Sequence, residues 1–153
     1  MILSTKGRYS VMAMVDLASQ PAGKPVGLAA IAARQEIPLA YLEQIFARLK
    51  RAGLVVSVRG PGGGYKLART ADEINVAEIM LASDEPIKMT RCTTGAHTGC
   101  MATKARCLTH DLWEGLSDQI RHYLSLITLE DVCARRVQQK FPRAHASPEM
   151  MMF

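Results

Sequence analysis

The chain has 153 residues, 48% of hydrophobic type, which gives room for one main domain with its own core and excludes an intrinsically disordered chain. The net charge of +5 is uneven: residues 1–70 hold ten Lys or Arg against three Asp or Glu and residues 71–153 nine against eleven, so the basic first half suits a polyanion-binding module. No apolar run approaches the ~20 residues that span a bilayer, and residues 1–8 carry no secretory signal, so the reading is a cytoplasmic protein with no membrane partner, where four cysteines are thiols or metal ligands rather than structural disulfides.

Val11, Met14, Val15 and Ala18 fall at helical spacing in a first segment from about Lys6 to Ser19. Pro21, Gly23 and Pro25 break the chain. A short helix follows, with Leu28, Ile31 and Ala32 inward and its end near Gln35. Glu36, Ile37 and Pro38 make a tight connection to a helix from about Leu39 to Arg51, whose buried stripe is Leu42, Ile45, Phe46 and Leu49 and whose stop is Gly53. Two helices joined so closely are the helix-turn-helix arrangement. Leu54 to Arg59 and Tyr65 to Ala68 read as two strands joined by the glycine-rich turn Gly60–Gly64. That order, helix pair then hairpin, is a winged helix.

Asn75, three residues before Glu78, predicts a capped helix start. Val76, Ile79, Met80 and Ser83 share one face of that helix, and Pro86 ends it. From Lys88 to Arg106 periodicity is lost. A long helix begins around Cys107, with Leu108, Leu112, Leu116, Ile120, Leu124 and Ile127 as a stripe helped by Trp113 and Tyr123. Such a stripe on a terminal helix asks for a partner helix, hence a homodimer. Leu129 to Val137 reads as a further short helix.

The expected fold class is mainly α with a small β-hairpin wing: a winged helix-turn-helix domain plus a long C-terminal dimerisation helix. The expected divisions are residues 1–85 for the DNA-binding domain (helix-turn-helix about 28–51, wing about 54–68), 86–106 for a cluster-binding loop, 107–137 for the dimerisation region and 138–153 for a disordered tail.

On the second helix of the pair, Tyr41, Glu43, Gln44 and Arg48 lie off the apolar stripe, where a recognition helix faces the major groove. Gln44 can pair with adenine, and Glu43 can accept from cytosine or repel non-cognate DNA. Arg59 and Gly60 sit at the wing tip, where an arginine can enter a narrow minor groove. Lys50, Arg51 and Lys66 suit phosphate contacts. The expected partner is double-stranded promoter DNA.

Cys92, Cys100 and Cys107 lie within sixteen residues, and His110 follows three after Cys107. If the last helix has begun by Cys107, positions 107 and 110 share a face. Three thiols and an imidazole suit zinc or an iron–sulfur cluster. The absence of a C-x-x-C pair tilts the balance towards a cluster. His97 and Cys133 are spare candidates, Cys133 reading as a packed thiol.

Three stretches resemble a known family. STKGRYSVMAMVDLA at Ser4–Ala18, YLEQIFARLKRAGLVVSVRGPGGGYKLAR at Tyr41–Arg69, and TRC at Thr90–Cys92 with CLTHDLW at Cys107–Trp113 are similar to the IscR family of bacterial iron–sulfur cluster regulators. The likeness runs to about residue 132. It implies a homodimer crossed by long C-terminal helices and a 2Fe–2S cluster held by Cys92, Cys100, Cys107 and His110. It implies repression of cluster-assembly genes by the cluster-bound form, a second promoter class for the apo form, and the cluster-assembly machinery as cluster donor. It ties Glu43 to promoter choice and Arg59 to the wing contact. Two departures stand out. The loops between the cysteines are seven and six residues, longer than is usual in that family, and the recognition helix begins Pro38-Leu39-Ala40 where serines are frequent. Hydroxyl contacts to DNA at positions 38 and 40 are therefore absent.

The competing readings are a nitric-oxide-sensing 4Fe–4S relative, a zinc or thiol redox switch on the same scaffold, and a small electron carrier. The first is disfavoured because Ser4–Arg8 holds no carboxylate. An enzyme is not expected: no phosphate loop, nucleophile–base pair or paired carboxylates stand out, and Gly60–Gly64 joins two strands rather than a strand to a helix.

Overall fold

The computed structural model describes residues 4–84, 87–89, 92 and 98–141. Its elements in chain order are α1 (Thr5–Ala18), α2 (Leu28–Gln35), α3 (Leu39–Arg51), β1 (Val55–Val58), β2 (Gly64–Leu67), α4 (Val76–Ala82), α5 (His110–Ser125), α6 (Leu129–Cys133) and α7 (Val137–Lys140). The fold is mainly helical, with one two-stranded antiparallel sheet among the described residues.

Helix α1 starts on Ser4, whose side chain accepts from the Gly7 N–H at 3.3 Å. It packs against α2, α3, α4, α6 and β2, so it is the central helix of the domain. That position corrects the expected face. Ala13, Met14 and Leu17 are its most buried apolar residues, while Val11, Val15 and Ala18 are half-buried around them. A helix surrounded by neighbours has no single inward stripe, which is why spacing alone turned the face by about one position.

Centrality also buries Asp16, at 5% exposure. Its carboxylate accepts from Arg34 Nε at 2.9 Å, Arg34 Nη2 at 2.6 Å and Gln35 Nε2 at 2.8 Å, fastening α1 to the last turn of α2. Burial opposes ionisation, but the hydrogen bonds from Arg34 and Gln35 and the guanidinium charge outweigh it, and the Asp16 pKa lies below the ordinary carboxylate value. A depressed folded-state pKa gives stability that is present above the unfolded pKa and lost as pH falls through the folded one. Arg34→Met leaves this buried charge to Gln35 alone, and a loss of stability is expected near neutral pH. Denaturant titrations at pH 7 and at pH 3 check it. The gap between wild type and variant should narrow in acid.

The helix pair matches its expected limits. Glu36 caps α2 in the left-handed region at φ 53°, which reverses the chain, and Ile37 donates to the Ala32 carbonyl at 3.2 Å. Pro38 then opens α3, since it fixes φ and needs no N–H partner there. Leu42, Ile45, Phe46 and Leu49 are all buried, and Gly53 (φ 74°) turns the chain into β1.

The wing pairs Val55 with Leu67, Val56 with Lys66, Ser57 with Tyr65 and Val58 with Gly64. Tyr65 also exchanges both backbone hydrogen bonds with Val26, at 2.8 and 2.9 Å. This added bridge locks the hairpin to the segment before α2. It requires glycine at 64, because a Cβ there would strike the Val26 carbonyl. The Tyr65 ring meets Phe46 of α3 at 4.9 Å between centroids, so wing and recognition helix share one packing unit.

Asn75 and Glu78 form the expected capping box at α4, with both bonds at 3.0 Å. Val76, Ile79, Met80 and Ser83 are buried as expected, but α4 ends at Ala82, and Pro86 lies outside the described residues. The last long helix is shorter than the periodicity suggested. It starts at His110 and ends at Ser125. Cys107 lies before it in a turn, and Leu108, the first residue of the expected stripe, is fully exposed. After α5 the chain returns to the winged domain. Val76 donates to Ile127 and Leu129 to Ile74, each at 2.9 Å, and Leu129 is buried in the main core. Helix α6 has its own Thr128–Asp131 capping box. The Lys140 ammonium and the cap hold the Asp131 pKa down to about 2. Residues 138–140 of α7 fall in the stretch expected as a tail, and 142–153 lie outside the described residues.

Candidate DNA interface and metal centre

The DNA-facing candidates come from α3 and the wing. Glu43 and Gln44 are exposed on α3, clear of its buried stripe. Tyr41 differs from the expectation: it is half-buried, with its ring edge-on to Tyr9 at 5.8 Å, so its aromatic face serves packing. Arg48 is half-buried and pairs through Nε with Asp84 at 3.2 Å, while Lys6 approaches the same carboxylate at 3.9 Å. Asp84 went unnoticed in the sequence because that pair spans distant positions. Lys50 donates to the Ser57 hydroxyl at 2.7 Å, tying the end of α3 to β1. Arg51, Arg59 and Gly60 are exposed, with Arg59 directly after β1 at the hairpin turn. Lys66 is half-buried opposite Val56. The recognition helix and wing thus present Glu43, Gln44, Arg51 and Arg59 free of described ion pairs.

The thiol cluster lies elsewhere, where the segment before α5 folds over its first turn. Cys92, Cys100, Cys107 and His110, with Met89, Met101, Thr109 and Trp113, line a cavity of about 360 Å³. Cys133 is not part of it; its thiol lies 3.5 Å from the Ser19 hydroxyl, against α1. His97, the other spare candidate, lies outside the described residues, as do Thr90 and Gly95.

Local backbone structure explains how widely spaced cysteines meet. Gly99 donates to the Lys104 carbonyl at 2.7 Å, Lys104 to Met101 at 2.8 Å and Met101 to Ala105 at 3.2 Å. This reverse turn folds 99–105 back on itself and brings Cys100 towards Cys107. Only glycine fits at 99, since a Cβ would meet the Ala105 carbonyl. His110 donates its N–H to the Cys107 carbonyl at 3.0 Å, so thiol and imidazole are joined by a turn and not by a shared helical face. On the other side, Met89 donates to the buried Ser117 hydroxyl at 2.8 Å, which donates in turn to the Trp113 carbonyl at 2.8 Å.

The thiols sense one another. Hydrogen bonding with Cys92, then with Cys107, raises the Cys100 pKa. The Thr109 hydroxyl, 3.6 Å from the Cys107 sulfur, lowers the Cys107 pKa against the opposing effect of desolvation. Thiolates are the metal-binding form, so these neighbours favour ionisation of Cys107 and oppose that of Cys100. His110 is buried, and neither ring nitrogen has a hydrogen-bond partner among the described residues. Its Nε2 lies 3.3 Å from Glu114 Oε2, but without hydrogen-bond directionality. Two unpartnered nitrogens on a buried ring are costly in a protein with nothing to offer them. The donor set therefore fits a thiophilic metal or an iron–sulfur cluster. Thr109 and Glu114 were missed in the sequence reading, though Glu114 stands at the helical i+4 spacing from His110.

Known proteins resemble this chain in sequence and fold. The sequence profile of the Rrf2 family, described as an iron-dependent transcriptional regulator, matches residues 3–135. The HTH-type transcriptional regulator IscR of Photorhabdus laumondii is 53% identical over 132 residues, covering 86% of this chain and 79% of that protein. IscR of Cereibacter sphaeroides is 51% identical over 134 residues, covering 86% of each chain. Among solved structures, T. potens IscR superposes with a TM-score of 0.71 at 35% identity, covering 94% of both chains. CymR, the global cysteine regulator of B. subtilis, gives a TM-score of 0.71 at 32% identity, covering 88% of this chain and 98% of that one. The resemblance to IscR regulators seen in the sequence holds, and these relatives are transcriptional regulators rather than enzymes. No helix among the described residues is long and apolar enough to cross a membrane. With a winged helix-turn-helix built for DNA and a profile match over most of its length, the chain belongs to the Rrf2 family of iron-dependent transcriptional regulators.

Proposed function

We propose that this regulator senses iron–sulfur cluster status through a 2Fe–2S cluster held by Cys92, Cys100, Cys107 and His110, and that cluster occupancy selects the promoters it binds. The observation that carries the proposal is the convergence of three thiols on a buried imidazole whose nitrogens have no hydrogen-bond partner among the described residues. The names of the relatives support it. When bound, such a cluster supplies a charged, exchangeable group whose presence reports supply. The chain's own part is to present the donors: Thr109 favours the Cys107 thiolate, and the 99–105 turn brings Cys100 near. The cell's cluster-assembly machinery is the donor, and cluster-assembly genes are the regulated targets.

The working unit in this proposal is a homodimer on double-stranded promoter DNA. Leu112, Trp113, Tyr123 and Leu126 are exposed on or beside α5, an apolar burden that a second copy would cover.

Anaerobic isolation followed by iron, sulfide and zinc counts tests the cofactor. The expected result is two irons and two sulfides per chain with visible absorption. One zinc without sulfide would overturn it in favour of a zinc switch, and four irons in favour of the 4Fe–4S reading.

A further inference from the structure

We infer that Glu114 is a positioning residue for His110, fixing which ring nitrogen is offered to the metal centre. The inference rests on the reading of His110 as a ligand. His110 opens α5 and Glu114 follows one turn later, which brings its carboxylate over the ring. Among the described residues Glu114 is the one carboxylate within ion-pair range of the imidazole, at 3.3 Å from Nε2. The Asp111 carboxylate is also near, its oxygen within 4.8 Å of the other two groups, but Asp111 is exposed.

The chemistry follows from donor counting. A neutral imidazole carries one N–H and one lone pair. An ionised carboxylate only accepts, so an approach to Nε2 places the proton on Nε2 and leaves the lone pair on Nδ1. Nδ1 is then the nitrogen free to bind a metal, with the second nitrogen turned to a carboxylate as is usual for a ligating histidine. The present 3.3 Å approach lacks hydrogen-bond directionality, so positioning requires the Glu114 side chain to reorient towards Nε2. The His110 side chain is 5% exposed and that of Glu114 41%, so the ring cannot turn freely to water while the carboxylate can adjust. Glu114 also brings a negative charge beside the proposed ligand, which favours the oxidised form of an attached centre.

The test uses the full chain with Glu114→Leu and Glu114→Gln. In the metal-free protein, two-dimensional ¹H–¹⁵N correlation of the histidine rings reads the tautomer of His110. Wild type and Glu114→Gln, whose amide oxygen still accepts, are expected to hold the Nε2–H form, and Glu114→Leu to give a mixture. In the anaerobically reconstituted protein, pulsed EPR of the reduced centre reads the ligand nitrogen, and a redox titration reads the midpoint potential. Both variants should shift the potential upward, because both remove the charge, while only Glu114→Leu should broaden the nitrogen coupling. If wild type shows no imidazole nitrogen coupling, His110 is not a ligand, and the inference falls with that reading. If the coupling is present but Glu114→Leu matches wild type in tautomer, coupling and potential, the inference alone is overturned.

Discussion

Cys107→Ala is expected to abolish iron retention and visible absorption while leaving the winged helix folded. The Cys107 thiol has its pKa lowered, by the Thr109 hydroxyl first, which favours the thiolate that binds a metal. Losing it leaves two thiols and an imidazole, too few for a four-ligand centre. Stability should change little. Cys107 is half-buried and lies in a turn outside both hydrophobic clusters, so truncation opens no cavity in the core. Cys100→Ala should behave the same way, because Cys100 is exposed. Cys92 is 7% exposed, so its alanine variant carries a packing cost as well, and serine is the better replacement there. Iron assay and circular dichroism on the same samples check the prediction. Full iron in all three variants would remove these residues from the site.

Arg59→Ala and Glu43→Ala are expected to affect DNA binding in opposite ways. Arg59 is exposed at the wing turn with no described side-chain partner, so its charge is available to a groove or a phosphate. Its loss should cost about 1–3 kcal/mol, or roughly 5–150-fold in affinity. Glu43 is exposed on α3 beside Gln44 and brings a negative charge to a polyanion. Its removal should strengthen binding to non-cognate promoters and narrow the gap between promoter classes. Anisotropy titrations of both variants against two promoter types, at fixed salt, make the comparison. Equal effects of the two variants on every sequence would remove the division of roles.

The helix-turn-helix was legible because local signals agreed there. The α3 stripe, Pro38 before it and Gly53 after it all mark the same limits, and α3 runs from Leu39 to Arg51 as read. The Asn75–Glu78 cap was legible for the same reason. Where the answer depended on tertiary contacts, the pattern misled. Leu108 stands four residues before Leu112 and prolongs the apolar period, yet it is fully exposed and the helix starts two residues later, at His110. Cys107 and His110 are neighbours all the same, through a turn hydrogen bond. The 99–105 turn has no periodicity to reveal it, and the Asp16–Arg34 pair joins residues eighteen apart on different helices. Tyr41 lies off the stripe by spacing but meets Tyr9 from α1, a contact that exists only once the helices have packed.

We propose that cluster occupancy changes which DNA this regulator binds. The most direct test is one anaerobic titration of a cluster-assembly promoter and a second-class promoter with the same protein before and after cluster loading. Loading is expected to tighten binding to the cluster-assembly promoter by about tenfold or more, within the usual range of allosteric coupling. Binding to the second promoter should persist in the metal-free form. Identical affinities for both promoters with and without the cluster would contradict it.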